Sequence, residues 1–137
     1  MMVLVDTPVW SLALRRKAKD LNPREHAVMH ALTELIREGR AQLMGVIRQE
    51  LLSGIGDEHQ FERLRDYLRA FSEPRLEARD YEQAAQMHTA CRGRGVAGST
   101  IDFLICAVAD RRNWQILTTD RDFDRYRKIL GLDLYPA

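Results

Sequence analysis

The chain alternates short unbroken apolar runs with longer stretches in which apolar residues recur every three or four positions. Val3, Leu4 and Val5 form the first such run, the pattern of a strand buried on both faces. Thr7-Pro8 then reads as a helix start, with Thr7 as N-cap and Pro8 at the first helical position, where a missing N–H costs nothing. That helix is expected from Val9 to about Lys19. A second spans His26 to Glu38, with Ala27, Ala31, Leu32 and Leu35 on one face and Gly39 as its stop. Gln42 to Met44 reads as a short strand, and Val46 to Leu52 as a helix ending at Ser53-Gly54. Asp57 to Phe71 is amphipathic, its stripe made by Phe61, Leu64, Leu68 and Phe71. A short extended piece around Arg75 and Leu76 follows, then a helix from Asp80 to about Arg92 and the loop GRGVAG. The most apolar helix runs from Ser99 to about Arg112. The strand QILTT, a helix from about Phe123 to Leu130, and LDLYP as a last strand complete the chain. Strands alternating with helices predict an α/β fold with a mostly parallel sheet covered on both faces.

Composition narrows this little. The 137 residues suit one domain over 1–137, with 45% hydrophobic and 30% charged residues and no internal repeat. No apolar stretch is long enough to span a bilayer and no signal-peptide pattern opens the chain, so no membrane role is expected and the expected compartment is the cytoplasm. Cys91 and Cys106 lack metal-ligand spacing and read as reduced core thiols. A net charge of +1 names no partner. The basic clusters Arg15-Arg16-Lys17, Arg92-Gly93-Arg94, Arg111-Arg112 and Arg125 to Lys128 read as solvated helix faces or ends. His26 and His30 lie one helical turn apart, but no acid completes a metal pair. Trp10, Phe61, Phe71, Phe103 and Trp114 suit core packing.

Candidate chemistry lies in the acidic residues. Asp6 sits at the carboxyl end of the first strand, the edge at which open α/β sheets bind ligands, though it also suits a helix N-terminus. Asp120 repeats that arrangement after QILTT, in TTDRDFD, where turn and cap chemistry is the alternative. Asp102 lies among Ile101, Leu104, Ile105 and Cys106 near a helix start, and Ser99 to Asp102 has capping-box spacing. Glu50 lies among Val46, Ile47, Leu51 and Leu52 on a short helix, where an exposed position is the ordinary reading. Brought together, bare carboxylates repel, and a hard divalent cation such as Mg²⁺ or Mn²⁺ relieves that repulsion. Such an ion activates water and stabilises a leaving oxygen, the requirements of phosphodiester hydrolysis.

VLVDTPVW, IRQELLSG, STIDFLICAVA and LTTDRDF occur in an order and context that resemble the PIN-domain family, nearest the VapC-type ribonuclease toxins of type II toxin–antitoxin systems. The resemblance implies a three-layer α/β/α fold and a Mg²⁺-dependent endoribonuclease acting on RNA. It implies a VapB-like antitoxin and a homodimer within a toxin–antitoxin hetero-oligomer. It makes Asp6, Glu50, Asp102 and Asp120 the acidic metal site, with Thr7 and Thr119 as polar neighbours and Asp124 as a further acid; the choice among Asp120, Asp122 and Asp124 stays open. Val28, Leu32, Leu35 and the Phe61/Leu64/Leu68 stripe are the expected apolar groove for the antitoxin. The alternative is a catalytically idle PIN-like domain that binds RNA or protein. A phospho-acceptor signalling domain fits poorly, because no Lys follows the late strand.

Overall fold

Three short parallel strands form the centre of the computed structural model, which describes residues 1–15 and 18–137. Strand β1 (Val3–Val5) lies between β2 (Ala41–Gln42) and β3 (Gln115–Leu117), with Val3 opposite Ala41 on one side and Gln115 on the other. Every β1 side chain is fully buried, as its unbroken apolar run requires. Helices α1 (Thr7–Arg15), α2 (Pro23–Arg37), α3 (Gly45–Leu52) and α4 (Glu58–Leu68) form one packed group; α1 lies against α2 and α3, and α3 against α4. Helices α5 (Ala78–Gly93), α6 (Thr100–Arg112) and α7 (Asp122–Leu130) form the other, with α5 against both α6 and α7. Together with the sheet they make the α/β/α arrangement.

The boundaries shift where side-chain capping and strand pairing decide them. Helix α1 begins at Thr7, two residues before Val9: the Asp6 carbonyl accepts from Val9 and Trp10, which leaves Thr7 inside the first turn rather than at the N-cap. Its expected end at Lys19 crosses residues 16–17, and the cluster Arg15-Arg16-Lys17 likewise falls partly outside the described residues; Ala18–Asp20 forms a 3₁₀ turn. Helix α2 starts at Pro23 rather than His26, because Asn22 and Glu25 close a capping box around it. Its buried face carries Val28, while Ala27 is exposed. Helix α4 stops at Leu68, and Phe71 beyond it meets the Trp10 ring edge-on at 4.9 Å. Trp10 itself is fully buried and donates its indole N–H to the Val5 carbonyl at 3.1 Å.

The expected outer strands shrink to single bridges. Ser72, not Arg75-Leu76, touches the sheet, paired with Gln42, and Leu134 of LDLYP pairs with Ile116. Pro136 has no N–H with which to continue that last pairing. Strand β3 ends at Leu117, so Thr118 and Thr119 lie past the ladder and are free to turn toward the sheet edge. His26 and His30 are exposed, Cys91 and Cys106 are buried free thiols, and among the described residues no helix is long and apolar enough to cross a membrane.

One buried acid was not singled out by its pattern. Asp80, fully buried, receives Arg111 Nη1 and Arg112 Nη1 at Oδ1, both at 2.7 Å, and Arg112 Nη2 at Oδ2 at 3.1 Å. These bonds tie α5 to α6, and the two guanidinium groups hold the Asp80 carboxyl well below the usual carboxylate range, Arg112 most strongly. Asp80→Ala leaves Arg111 with its looser pair to Glu77 at 3.6 Å and Arg112 with the carbonyls of Val108 and Arg75, and is expected to cost about 2–4 kcal/mol at pH 7, read as the urea midpoint. Because the folded-state pKa is depressed, this contribution is present at neutral pH and fades only in strong acid, so the variant's deficit shrinks there.

Candidate active site

At the carboxyl edge of the sheet, one open cleft of about 420 Å³ is lined by Asp6, Thr7, Pro8, Ser11, Glu50, Ser99, Ile101, Asp102 and Asp120. The strand ends β1 and β3 deliver Asp6 and Asp120, α3 delivers Glu50, and the first turn of α6 delivers Asp102.

Asp6 is only 3% exposed. Its Oδ1 accepts the Thr7 N–H at 2.8 Å and its Oδ2 accepts the Thr118 hydroxyl at 2.8 Å. Burial pushes its carboxyl up from 3.8 to about 6; these two hydrogen bonds offset part of the rise, and the charges of Asp102 and Asp120 add to it. Among the described residues no cationic side chain pairs with it.

Asp102 is half-buried, and burial also raises its carboxyl, with the Tyr126 and Ser99 hydroxyls opposing the rise. Ser99 caps α6 by accepting the Asp102 N–H at 3.0 Å, as capping-box spacing predicts. The reciprocal half is missing: Asp102 Oδ2 accepts the Tyr126 hydroxyl at 2.8 Å instead of the Ser99 N–H. The carboxylate is therefore directed by α7 rather than consumed by its own helix cap.

Glu50 is exposed at the cleft rim, where its Oε1 accepts the Thr7 hydroxyl over a long 3.4 Å. Asp120 is half-buried, its N–H donating to Thr118 Oγ1 at 2.9 Å and its Oδ1 accepting the Asp122 N–H at 2.9 Å. Asp122 pairs with Arg125. Asp124 is exposed, pairs with Arg127 at 3.8 Å, and lines a neighbouring cleft with Arg24. Of the three nearby acids, only Asp120 lines the cleft that holds Asp6.

Thr119 does not line this cleft; Thr118 holds Asp6 in its place. Sequence reasoning passed over Thr118 because two adjacent threonines at a strand end look alike until pairing fixes the register. Tyr126 was also missed, though a signal existed: it follows Phe123 by three residues, on the buried face of α7.

The donors are of one kind, carboxylate and hydroxyl oxygens, which suits a hard divalent cation. A cation would also relieve the unpaired burial of Asp6. Four carboxylates closed directly around an ion is not the arrangement present: among the described residues no group of three or more His, Cys, Asp or Glu side chains is placed to hold one. The donor chemistry suits a hard divalent cation held by one or two carboxylates, the remaining positions being filled by water.

The family described as PIN domain matches residues 3–129. Among solved structures, a chain of VapBC2 from Rickettsia felis, bound to a DNA fragment from its promoter, is similar with a TM-score of 0.75 and 17% identity over 98% of each chain. FitAcB from Neisseria gonorrhoeae gives 0.72 and 20% identity, covering 98% of this chain and 97% of that one. VapBC-1 from nontypeable Haemophilus influenzae gives 0.66 and 15%, with 98% and 97% covered. At these identities the likeness is one of fold.

The raised Asp6 carboxyl has a definite sign. The folded state binds a proton more tightly than the unfolded state, so metal-free stability falls as pH rises from about 4 to about 6. A rise from 3.8 to about 6 sets a ceiling of about 3 kcal/mol on this loss. Asp6→Asn is expected to remove that slope and to melt higher than the parent at pH 7.5 in chelator, as thermal denaturation across pH checks.

Proposed function

The chain belongs to the PIN-domain family, and from that premise we propose that it is the toxin nuclease of a VapBC-type pair, a Mg²⁺-dependent endoribonuclease that accepts Mn²⁺ as substitute. The observation that carries this reading is the single cleft lined by Asp6, Glu50, Asp102 and Asp120. Fold likeness to VapBC2 and VapBC-1 supports the toxin assignment and a VapB-like antitoxin as partner, and a homodimer inside the hetero-oligomer belongs to the same proposal. The working compartment in this reading is the cytoplasm.

Mg²⁺, when bound, supplies an activated water and charge compensation for the leaving oxygen of the phosphodiester. Asp6 and Asp102, the two most enclosed acids of the cleft, would hold it directly. Thr118 keeps Asp6 aimed by engaging Oδ2, and it fixes the Asp120 backbone through the same hydroxyl. Glu50 and Asp120 would complete the site as ligands through water or as orienters of the nucleophile, Glu50 from the open rim of the cleft. Thr7 bridges the two ends of the cleft, its N–H on Asp6 and its hydroxyl on Glu50.

The antitoxin's seat cannot be the α2 stripe expected from the sequence, because Val28, Leu32 and Leu35 are core residues at 2%, 1% and 0% exposure, as is Leu68 of α4. Leu64 instead lines an open groove of about 850 Å³ with Leu14, Ile55 and the exposed Tyr67, and this groove is the proposed seat.

Asp6→Asn and Asp102→Asn are each expected to lower RNA cleavage by about 100-fold or more with the fold intact, measured as initial rates in saturating Mg²⁺. Wild-type rates in either variant would place the chemistry elsewhere. The loose spacing of the acids favours one other reading, an idle PIN-like domain that binds RNA or protein. Saturating Mg²⁺ or Mn²⁺ raises the melting temperature in the enzyme reading and leaves it unchanged in the idle one.

A further inference from the structure

Tyr126 is fully buried, yet its polar atom reaches the cleft from behind, donating to Asp102 Oδ2 at 2.8 Å. Its ring is held between Phe123 of its own helix, at 5.1 Å, and Phe103 of α6, at 4.9 Å. The loop entering α6 closes another side. A Cβ at Gly98 would lie 2.5 Å from the Tyr126 hydroxyl oxygen and 2.7 and 2.9 Å from two carbons of the Phe103 ring. Gly98 does not have positive φ, so its lack of a side chain answers to space and not to backbone conformation.

A buried phenol needs an acceptor, and Asp102 is the one within reach. The bond has two consequences for the carboxylate. It fixes the rotation of the group, and it occupies one oxygen from the protein side. A carboxylate held this way offers a cation its Oδ1 first, which favours coordination through one oxygen over two. Mg²⁺ takes compact octahedral sites at about 2.0–2.1 Å and fills positions with water, whereas Ca²⁺ takes more oxygens, at about 2.3–2.6 Å, and readily uses both oxygens of one carboxylate.

We infer that Gly98 and Tyr126 are positioning residues that hold Asp102 as a one-oxygen ligand and thereby set the preference of this site for Mg²⁺ over Ca²⁺. The inference rests on the metal-site reading proposed above. Neither residue touches substrate: Tyr126 acts through Asp102, and Gly98 acts by leaving room for the Tyr126 hydroxyl.

The test is calorimetric titration of the full chain, stripped with chelator, with MgCl₂ and separately with CaCl₂. Tyr126→Phe is expected to weaken Mg²⁺ binding about tenfold while leaving Ca²⁺ binding equal or tighter, so that the Mg²⁺/Ca²⁺ affinity ratio falls about tenfold or more. Gly98→Ala moves the ratio in the same direction by displacing the hydroxyl. If Gly98→Ala does not fold, Tyr126→Phe carries the test, since it removes one oxygen atom and keeps the ring packing. An unchanged ratio in Tyr126→Phe overturns the inference, and so does equal weakening of both ions, which marks a loosened fold. A parent chain that binds neither ion overturns the metal reading as well. A parent that binds Mg²⁺ with the same ratio as Tyr126→Phe overturns only the role given to Tyr126.

Discussion

A carboxylate shut away from water at the end of the central strand, with no cation paired to it among the described residues, is the constraint around which this protein is arranged. Asp6 cannot be relaxed by moving outward, because β1 is clamped between two parallel neighbours and its side chains are wholly enclosed. The chain compensates with neutral donors, one from the next residue's backbone and one from a threonine at the far end of the sequence. Neutral donors moderate the burden without neutralising the charge. The fold therefore carries a standing electrostatic strain at one point and depends on its core to tolerate it.

Asp80 makes the contrast plain. Both aspartates are buried, but Asp80 faces two guanidinium groups that hold its carboxyl down, whereas nothing of that kind offsets the burial that drives the Asp6 carboxyl up, and the nearby Asp102 and Asp120 add to the rise. Residue type and enclosure are the same; the sign of the nearest charges differs. A compensated buried acid ties helices together, while an uncompensated one at a cleft is a place prepared for something to bind.

The sequence disclosed what depends on neighbours and hid what depends on pairing across the chain. The triplet Val3-Leu4-Val5 announced a buried strand, and Ile101 to Cys106 announced an enclosed helix around Asp102, because apolar runs are local facts. Asn22 escaped notice as a cap since the apolar periodicity begins only later, and the helix it starts was read three residues short. The two outer strands were overdrawn because β-propensity does not reveal how few rungs a partner offers. Thr118 and Thr119 could not be separated before β3 was known to end at Leu117. Ser99-Asp102 shows the limit most clearly: its spacing is that of a reciprocal cap, and only the arrival of Tyr126 from another helix turns the carboxylate away.

The hydrogen bond from Thr118 to Asp6 joins residues 112 positions apart. During translation, then, a ribosome has released Asp6 and Glu50 long before the other half of their cleft has been made. The β1–β3 pairing that unites the halves waits on the same late segment. A nascent polypeptide of this kind has no complete cleft until almost its whole length has emerged, so anything that occupies the cleft meets only the finished molecule.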